Sequence, residues 1–509
     1  MGERLFRLDP TSDTPLYAQL RVALEDAVLN GGFAPGEALP SSRRLAEDLG
    51  ISRNTVNAAL QDLMAEGFIE AQPRRGLFVS QEVQQTLTET RPDRPGRYDW
   101  SGRLGPATRP SLEEIRKNPA WWRYPYPFLS GQPDIGIFPT SGWARALRAS
   151  MSDDNLTQVL QDAQWRDDEL LVELVCRDIL PQRGVRAAPE NVLITLGSQH
   201  ALHLVSSVLV RANARVAVED PGYVDARNIF LLAGGQPLPF AVDASGMRPS
   251  AELAAADLVY VTPSHQYPTN VTLSIARRTR LLDLAARRGT IVIEDDYDSE
   301  FRYRGTPTVA FKALDEADQV VYLGSFSKFV APGLRLGFVV GAPELIEELR
   351  LRSRYSVRHP SGQMQRALAL FIQSGQYARH VRRVKKHFKR KWEVCVDAAS
   401  THFTWREHTF PPGGMSLWVH GPDDVDAADL AVAAEGDGVL IEPGTVCFLR
   451  RPAPRNRFRL GFAAIDIDAI EPGVRALAQV VERVRPRHRS ATRGGAKSAS
   501  GTARGRRDA

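Results

Sequence analysis

The sequence predicts a multidomain chain: a small, mostly helical N-terminal unit, followed by a large α/β unit built on a largely parallel sheet. Three observations carry this. At 509 residues the chain exceeds what a single core usually supports. Residues 10–80 show apolar spacing of helical period that closes on a short hairpin pattern. From about residue 126 onward, the runs "NVLITLG", "ARVAVED", "LVYVTPS", "TIVIEDD" and "QVVYLGS" are continuously apolar and alternate with amphipathic stretches, the pattern of strands covered on both faces by crossover helices.

Composition divides the chain into a unit over 10–80, a Pro- and Arg-punctuated linker over 81–125, the large unit over 126–482, and a basic, disordered tail over 483–509. A hydrophobic content of 43% and a charged content of 25% are ordinary for a globular protein. There is no long apolar run, and "MGERLFRLDPTSDTP" lacks a signal-peptide core, so a cytoplasmic protein with no membrane partner is expected. Cys176, Cys395 and Cys447 fit neither a disulfide framework nor a metal-ligand spacing, so no metal is expected and the thiols read as reduced. The net charge of +5 says little about partners, because the tail alone holds nine Lys/Arg against one Asp. Residues 1–80 are acidic, with eight Arg against eleven Asp/Glu. Any DNA-binding argument must therefore rest on local pattern.

In the N-terminal unit, Leu16, Leu20, Leu24 and Val28 recur at helical spacing and Gly31-Gly32 ends that helix. Ser41 or Ser42 can cap a second helix reaching Leu49, Gly50 supplies a tight turn, and Ser52 caps a third with Val56, Leu60 and Leu63 inward. The third helix carries Arg53, Asn54, Thr55 and Asn57 on its first turns, where groove-reading residues lie when a helix N-terminus enters the major groove. "FIEAQPRRGLFV" then reads as two short strands around Arg74, Arg75 and Gly76, a basic wing. Through "LPSSRRLAEDLGISRNTVNAALQDLMAEGFIEAQPRRGLFV" the unit resembles the GntR family of winged helix-turn-helix regulators. The resemblance implies that Arg43, Arg53, Thr55, Arg75 and Gly76 contact double-stranded operator DNA. Ser52 and Asn54, at the start of the same helix, complete the candidate set.

In the large unit, ligands are expected at the carboxyl ends of the strands. Lys328 stands just past one of them, in "VYLGSFSKFVAPGLRLGFVV". A lysine at a guarded strand end suits Schiff-base capture of an aldehyde, provided it can become neutral. A pyridoxal phosphate site also needs an anion cradle, a carboxylate facing the ring nitrogen and an aromatic face. Gly197, Ser198 and Gln199 at a helix start, with Ser325, Ser327 and Arg335, are candidates for the cradle. Asp295 in "IVIEDDYDSEF" is the candidate for the ring nitrogen, Tyr297 for the phenolic oxygen and Tyr223 in "EDPGY" for the ring face.

With "FLSGQPDIGIFP", "ITLGSQHAL", "VEDPGY", "TPSHQYPTN", "EDDYDSEF" and "GSFSKFVAPGLRLGF", nearly the whole chain resembles the MocR subgroup of GntR regulators. In that subgroup a winged helix-turn-helix is fused to a fold-type I aminotransferase-like domain that binds pyridoxal 5'-phosphate. The resemblance implies that Lys328 is the cofactor lysine, Asp295 the pyridinium partner, Tyr297 the phenolate partner and Arg335 a phosphate ligand. It also implies a homodimer, and an arginine for an effector carboxylate, at Arg459 with Arg457 the weaker candidate. Two departures stand out. Asn270 replaces a glycine, which requires it to adopt a glycine-like conformation. Asp225 stands where some relatives place a basic effector-binding residue, which suits an amine.

The basic stretch "YARHVRRVKKHFKRKWEV" reads as a solvated helix, and the tail as a source of non-specific attraction to DNA. The function expected is a pyridoxal phosphate-dependent, DNA-binding transcriptional regulator that senses a small amine, an amino acid or a B6 vitamer through Lys328. The alternative is an active aminotransferase with an accessory DNA-binding domain.

Overall fold

The computed structural model describes residues 8–81, 100, 112–163, 165–305 and 308–485. The tail beyond 485 and most of the expected linker lie outside the described residues. The chain divides into two compact units, Met1–Thr108 and Arg109–Ala509.

The first unit contains α1 (Leu16–Leu29), α2 (Ser42–Leu49), α3 (Arg53–Ala65), β1 (Ile69–Gln72) and β2 (Gly76–Val79). Ser41, rather than Ser42, caps α2 by accepting from the Arg44 N–H, and Gly50 ends it in the left-handed region with φ 65°. Leu20, Leu24 and Val28 of α1 meet Leu45, Val56, Leu60 and Leu63 in one small core. β1 and β2 form an antiparallel hairpin with Gln72 opposite Gly76.

The second unit is built on an eight-stranded sheet. After β3 (Tyr126–Pro127), which lies outside it, the strands of this sheet in chain order are β4 (Val192–Thr195), β5 (Arg215–Asp220), β6 (Gln236–Asp243), β7 (Gly246–Met247), β8 (Leu258–Val261), β9 (Ile291–Asp295), β10 (Val320–Ser325) and β11 (Gly337–Val340). The sheet order is β4-β11-β10-β9-β8-β5-β6-β7. Every pairing from β10 through β6 is parallel, and β11 and β7 are the antiparallel members.

The apolar runs are continuous because both faces are covered. Val216, Val218, Leu258, Tyr260, Ile293 and Val321 pack under the helix Ser198–Leu209. Their sequence neighbours Ala217, Val259, Val261, Val292 and Val320 pack on the other face against Leu281 and Ala285 of the helix Ile275–Arg288. Toward the C-terminus, β12 (Ser416–His420), β14 (Glu442–Pro443) and β15 (Arg457–Gly461) form a second sheet in the order β12-β15-β14, while β13 (Val439–Leu440) pairs with β3. The helices Gln376–His402 and Ile467–Val484 share the core with this region. Among the described residues no helix is long and apolar enough to cross a membrane.

Within the expected linker, residues 113–124 make contacts with the large unit. Glu113 pairs with Arg227 at 2.8 Å and also with Arg451, and Lys117 lies 3.4 Å from Glu442. Asn118 and Tyr124 both donate to Glu435.

Candidate functional site

The carboxyl ends of β5, β8, β9 and β10 open on a cavity of about 440 Å³ whose lining includes Ser198, Gln199, Tyr223, Asp225, Asp295, Tyr297, Ser325, Ser327, Lys328, Arg335 and Arg459. The residues proposed from widely separated motifs therefore converge on one volume. Gly197 immediately precedes Ser198 in the chain.

Lys328 follows β10 in a turn where Ser325 Oγ accepts from the Ser327 N–H at 3.2 Å. Its Nζ has no hydrogen-bond or ion-pair partner among the described residues. Burial, and next the Arg459 guanidinium, lower its pKa from 10.5 to about 8. It is thus a lysine that reaches its neutral, nucleophilic form near physiological pH.

Asp295 ends β9. One carboxylate oxygen, Oδ2, accepts from the Tyr260 hydroxyl at 2.8 Å, while Oδ1 is buried with no partner. Burial raises its pKa to about 7, and Asp296 and Asp298 add to the rise. A protonated ring nitrogen at Oδ1 would supply the missing partner and draw the carboxyl back to its charged form. Beneath it, Asp296 is held by Arg183 Nε at 2.7 Å, the Ser264 hydroxyl at 2.6 Å and the Tyr322 hydroxyl at 2.8 Å. This network fixes the strand end.

The anion cradle forms at the start of the helix Ser198–Leu209. Gly197 has φ 82° and ψ 172°, a conformation open essentially to glycine. A Cβ there would lie 3.4 Å from Arg335 Cζ, so glycine also makes room for the guanidinium. Arg335, itself at φ 50°, donates to the Leu196 carbonyl at 3.0 Å. Ser327 Oγ is buried without a partner. Asp295 Oδ1 and Ser327 Oγ are buried polar atoms without partners whose residues line one cavity, and a protonated ring nitrogen and a phosphate would satisfy them, so the donor set fits pyridoxal phosphate.

Tyr223 and Tyr267 pack with ring centroids 5.0 Å apart, and the Tyr223 hydroxyl donates to Asp225 Oδ2 at 3.1 Å. Tyr297 donates to the His265 carbonyl at 3.0 Å. His265 is in turn 3.0 Å from Asp298, which also lines the cavity. Arg459, on β15, lies over the Tyr267 ring at 4.3 Å and donates through Nε to the Ser416 hydroxyl at 2.8 Å. Arg457 does not reach the cavity; its guanidinium donates to Asn456 Oδ1 at 2.6 Å. Asn270 adopts φ 61°, the glycine-like conformation its position requires.

Sequence reasoning missed several groups. Lys117 and Ser130 line the cavity, and Tyr260 bonds Asp295 from within β8. Glu442 is buried between two cations, 3.4 Å from Lys117 Nζ and 3.8 Å from Arg459. An acid closing the apolar run "GVLIEPG" was the available signal for Glu442. Nothing local marked Lys117.

In the first unit, Ser52 accepts from the Thr55 N–H at 3.1 Å, and the two hydroxyls lie 2.8 Å apart, so this pair is largely committed to the cap of α3. Arg53 and Asn54 are exposed beside them, with Arg53 Nε 3.4 Å from the Ser42 hydroxyl. The Arg43 side chain is 80% exposed and pairs with Glu47 at 3.0 Å. At the hairpin tip Arg74 and Gly76 have positive φ, 63° and 115°, and Arg75 lies over the Phe78 ring. The exposed start of α3 and the wing are what a helix-turn-helix presents to a major groove and its flanking phosphates.

Comparison with known proteins agrees with both halves. Residues 16–79 match the gntR family of bacterial regulatory proteins, and residues 168–477 match the aminotransferase class I and II family. The chain is 36% identical over 477 residues to the HTH-type transcriptional regulator TauR of Rhodobacter capsulatus, covering 94% of this chain and 98% of TauR. It is 33% identical to the probable rhizopine catabolism regulatory protein MocR of Rhizobium meliloti, covering 92% and 94% respectively. Among solved structures it is similar to LysN, the α-aminoadipate aminotransferase of Thermus thermophilus complexed with N-(5'-phosphopyridoxyl)-L-leucine. That match has a TM-score of 0.68 and 28% identity over 76% of this chain and 98% of LysN. The chain belongs to the MocR subgroup of GntR-family transcriptional regulators, DNA-binding proteins whose large domain is a pyridoxal phosphate domain of the class I and II aminotransferase family.

Proposed function

We propose that the protein regulates transcription in the cytoplasm as a homodimer on operator DNA, and that Lys328 senses a small amine. The observation that carries this reading is the pairing of a partnerless Lys328 Nζ, lowered to about 8, with the partnerless Asp295 Oδ1 in one cavity. When bound, pyridoxal phosphate supplies an electrophilic aldehyde on an electron-withdrawing ring. Lys328 Nζ would hold the aldehyde end, Asp295 Oδ1 would accept the ring N–H, Tyr223 would serve the ring face and Tyr297 the phenolic oxygen. Ser198, Gln199, Ser325, Ser327 and Arg335 would hold the phosphate. Arg459 orients the acidic group of an incoming amino acid, and Asp225 favours ligands that bring a positive charge.

With an amine in its place at the aldehyde end, the Lys328 side chain would stand uncombined among Arg459, Asp298, Lys117 and Asp295, groups that bias its protonation. That change becomes a signal only if the two states of the domain differ in affinity for DNA. A B6 vitamer acting through occupancy of the same site would use the same residues.

The second reading, a working aminotransferase, is favoured by the presence of Lys328, Asp295 and Arg459 in one cavity. Incubation of the loaded protein with an amino acid and a keto acid separates the two. Capture of the amine without sustained formation of new keto acid supports the sensor, and multiple turnovers refute it.

A further inference from the structure

The helix Gln376–His402 has two unlike faces. Its inner face packs Tyr377, Val384, Phe388, Trp392 and Cys395 into the core. Its one buried cation, Lys391, donates to Asp134 Oδ2 at 2.6 Å and to the Ala463 carbonyl at 3.0 Å. The outer face exposes Arg379, Arg382, Arg383, Lys386, Lys389 and Arg390, with Lys385 half-buried beside them. Over Tyr377–Val394 the sequence holds eight Lys/Arg against one acid, Glu393. Glu393 lies 3.8 Å from Lys389, Asp134 is taken by Lys391 and His387, and Asp466 and Asp468 line a cavity with Arg383, which leaves Arg382, Lys385, Lys386 and Arg390 without an ion pair among the described residues. Elsewhere this chain sets an acid four residues from a helical arginine, as in Arg21 with Glu25, Arg43 with Glu47 and Arg352 with Glu348. Here the same spacing joins like charges: Arg379 with Arg383, Arg382 with Lys386, Lys385 with Lys389, and Lys386 with Arg390. Such pairs destabilise a helix, and an anion laid along the face offsets that cost.

Charge complementarity selects the occupant. The first unit holds more acids than arginines, and its Arg21, Arg43 and Arg44 are already paired with acids, so few of its cations are left for phosphates. From Arg379 to Arg390 the basic row runs about 16 Å along the helix. One strand of a duplex carries a phosphate every 3.4 Å or so of axis, so the row matches about four or five phosphates. None of the helix's large apolar side chains is exposed, so it offers nothing to the interior of a lipid surface, and a second copy of the row would be repelled. We propose that the outer face of the helix Gln376–His402 is a second DNA-binding surface, which takes the phosphates of duplex DNA without reading its sequence. It supplies, from the large unit, the counterion release for which the acidic first unit is poorly equipped. The proposal is independent of whether Lys328 senses an amine.

The test uses the full-length, cofactor-loaded protein and two duplexes, one selected from random sequence and one of unrelated sequence, with binding followed by fluorescence anisotropy across a salt series. Arg382→Gln, Lys386→Gln and Arg390→Gln, combined in one variant, remove three of the unpaired cations. Each phosphate contact contributes about 0.9 to the slope of log affinity against log salt, so the slope of the triple variant should be shallower by about 2.7. Between about 50 and 200 mM salt it should therefore lose about fortyfold less affinity than the wild type. The change should be the same on both duplexes, with the visible absorption of the bound cofactor unaltered. Arg382→Lys, Lys386→Arg and Arg390→Lys, combined, keep the charges and should keep the slope. If the triple Gln variant does not fold, the three single variants, each expected to take about 0.9 from the slope, carry the same test. The basic tail is present in every protein compared, so its share of the slope cancels. A wild-type slope in the folded Gln variants, a loss confined to the selected duplex, or an equal loss in the charge-preserving variant overturns the proposal.

Discussion

Lys328 can attack an aldehyde only as a free amine, so covalent capture of pyridoxal phosphate by the cofactor-free protein should follow its protonation. At pH 7 a lysine titrating at about 8 is neutral in about 9% of molecules, against about 0.03% for one at 10.5, a gain of about 300-fold. The shift comes first from burial and next from Arg459. The perturbation is therefore twofold: pH, and Arg459→Met, which removes a cation that disfavours the ammonium form. Rapid mixing with pyridoxal phosphate across pH 6 to 10, followed by absorbance, gives the capture rate. In the wild type it should rise nearly tenfold per pH unit below about 8 and level off above. In Arg459→Met the bend should move to higher pH, with slower capture at pH 7. A wild-type rate that climbs steadily to pH 10, or a bend unmoved by the substitution, refutes the argument that burial and Arg459 prepare Lys328.

Asp295→Asn removes the carboxylate proposed to bond the ring nitrogen. Losing a charge-assisted hydrogen bond of about 1.5–3 kcal/mol should weaken cofactor affinity by about ten- to a hundredfold in equilibrium dialysis. Gly197→Ala forces a side chain into φ 82° and brings its Cβ to 3.4 Å from Arg335 Cζ. With a backbone cost of about 1–3 kcal/mol, its melting temperature should fall and inorganic phosphate should compete less well with the cofactor. Arg53→Ala, at the exposed start of α3, should weaken binding to a selected operator duplex by about 1–3 kcal/mol in a gel-shift titration while cofactor absorption is unchanged.

Much of this site was legible in the sequence because its parts are local devices. A strand that ends in Asp295, a turn that carries Lys328 and a glycine that opens the helix at Ser198 each announce themselves within about ten residues. The caps of α2 and α3 were legible for the same reason, and only the choice between Ser41 and Ser42 needed the coordinates. Contacts made across long stretches of chain were not legible. Lys117 meets Glu442, and Arg183 meets Asp296, through folding alone. Tyr260 looked like strand filling because its neighbours in "LVYV" are apolar, yet its hydroxyl donates to the Asp295 carboxylate. Arg457 and Arg459 share a strand and a residue type, and only Ser416, Glu442 and the Tyr267 ring single out Arg459 for the cavity.

The central claim is that Lys328 chemistry is read out on DNA. The direct test selects a duplex from random sequence with the full-length protein, then measures its affinity for the cofactor-loaded wild type and for Lys328→Ala, each with and without amino acid. The account predicts that amino acid changes the affinity of the wild type and leaves that of Lys328→Ala unchanged. Equal affinity in all four cases, or an equal response in both proteins, would contradict it.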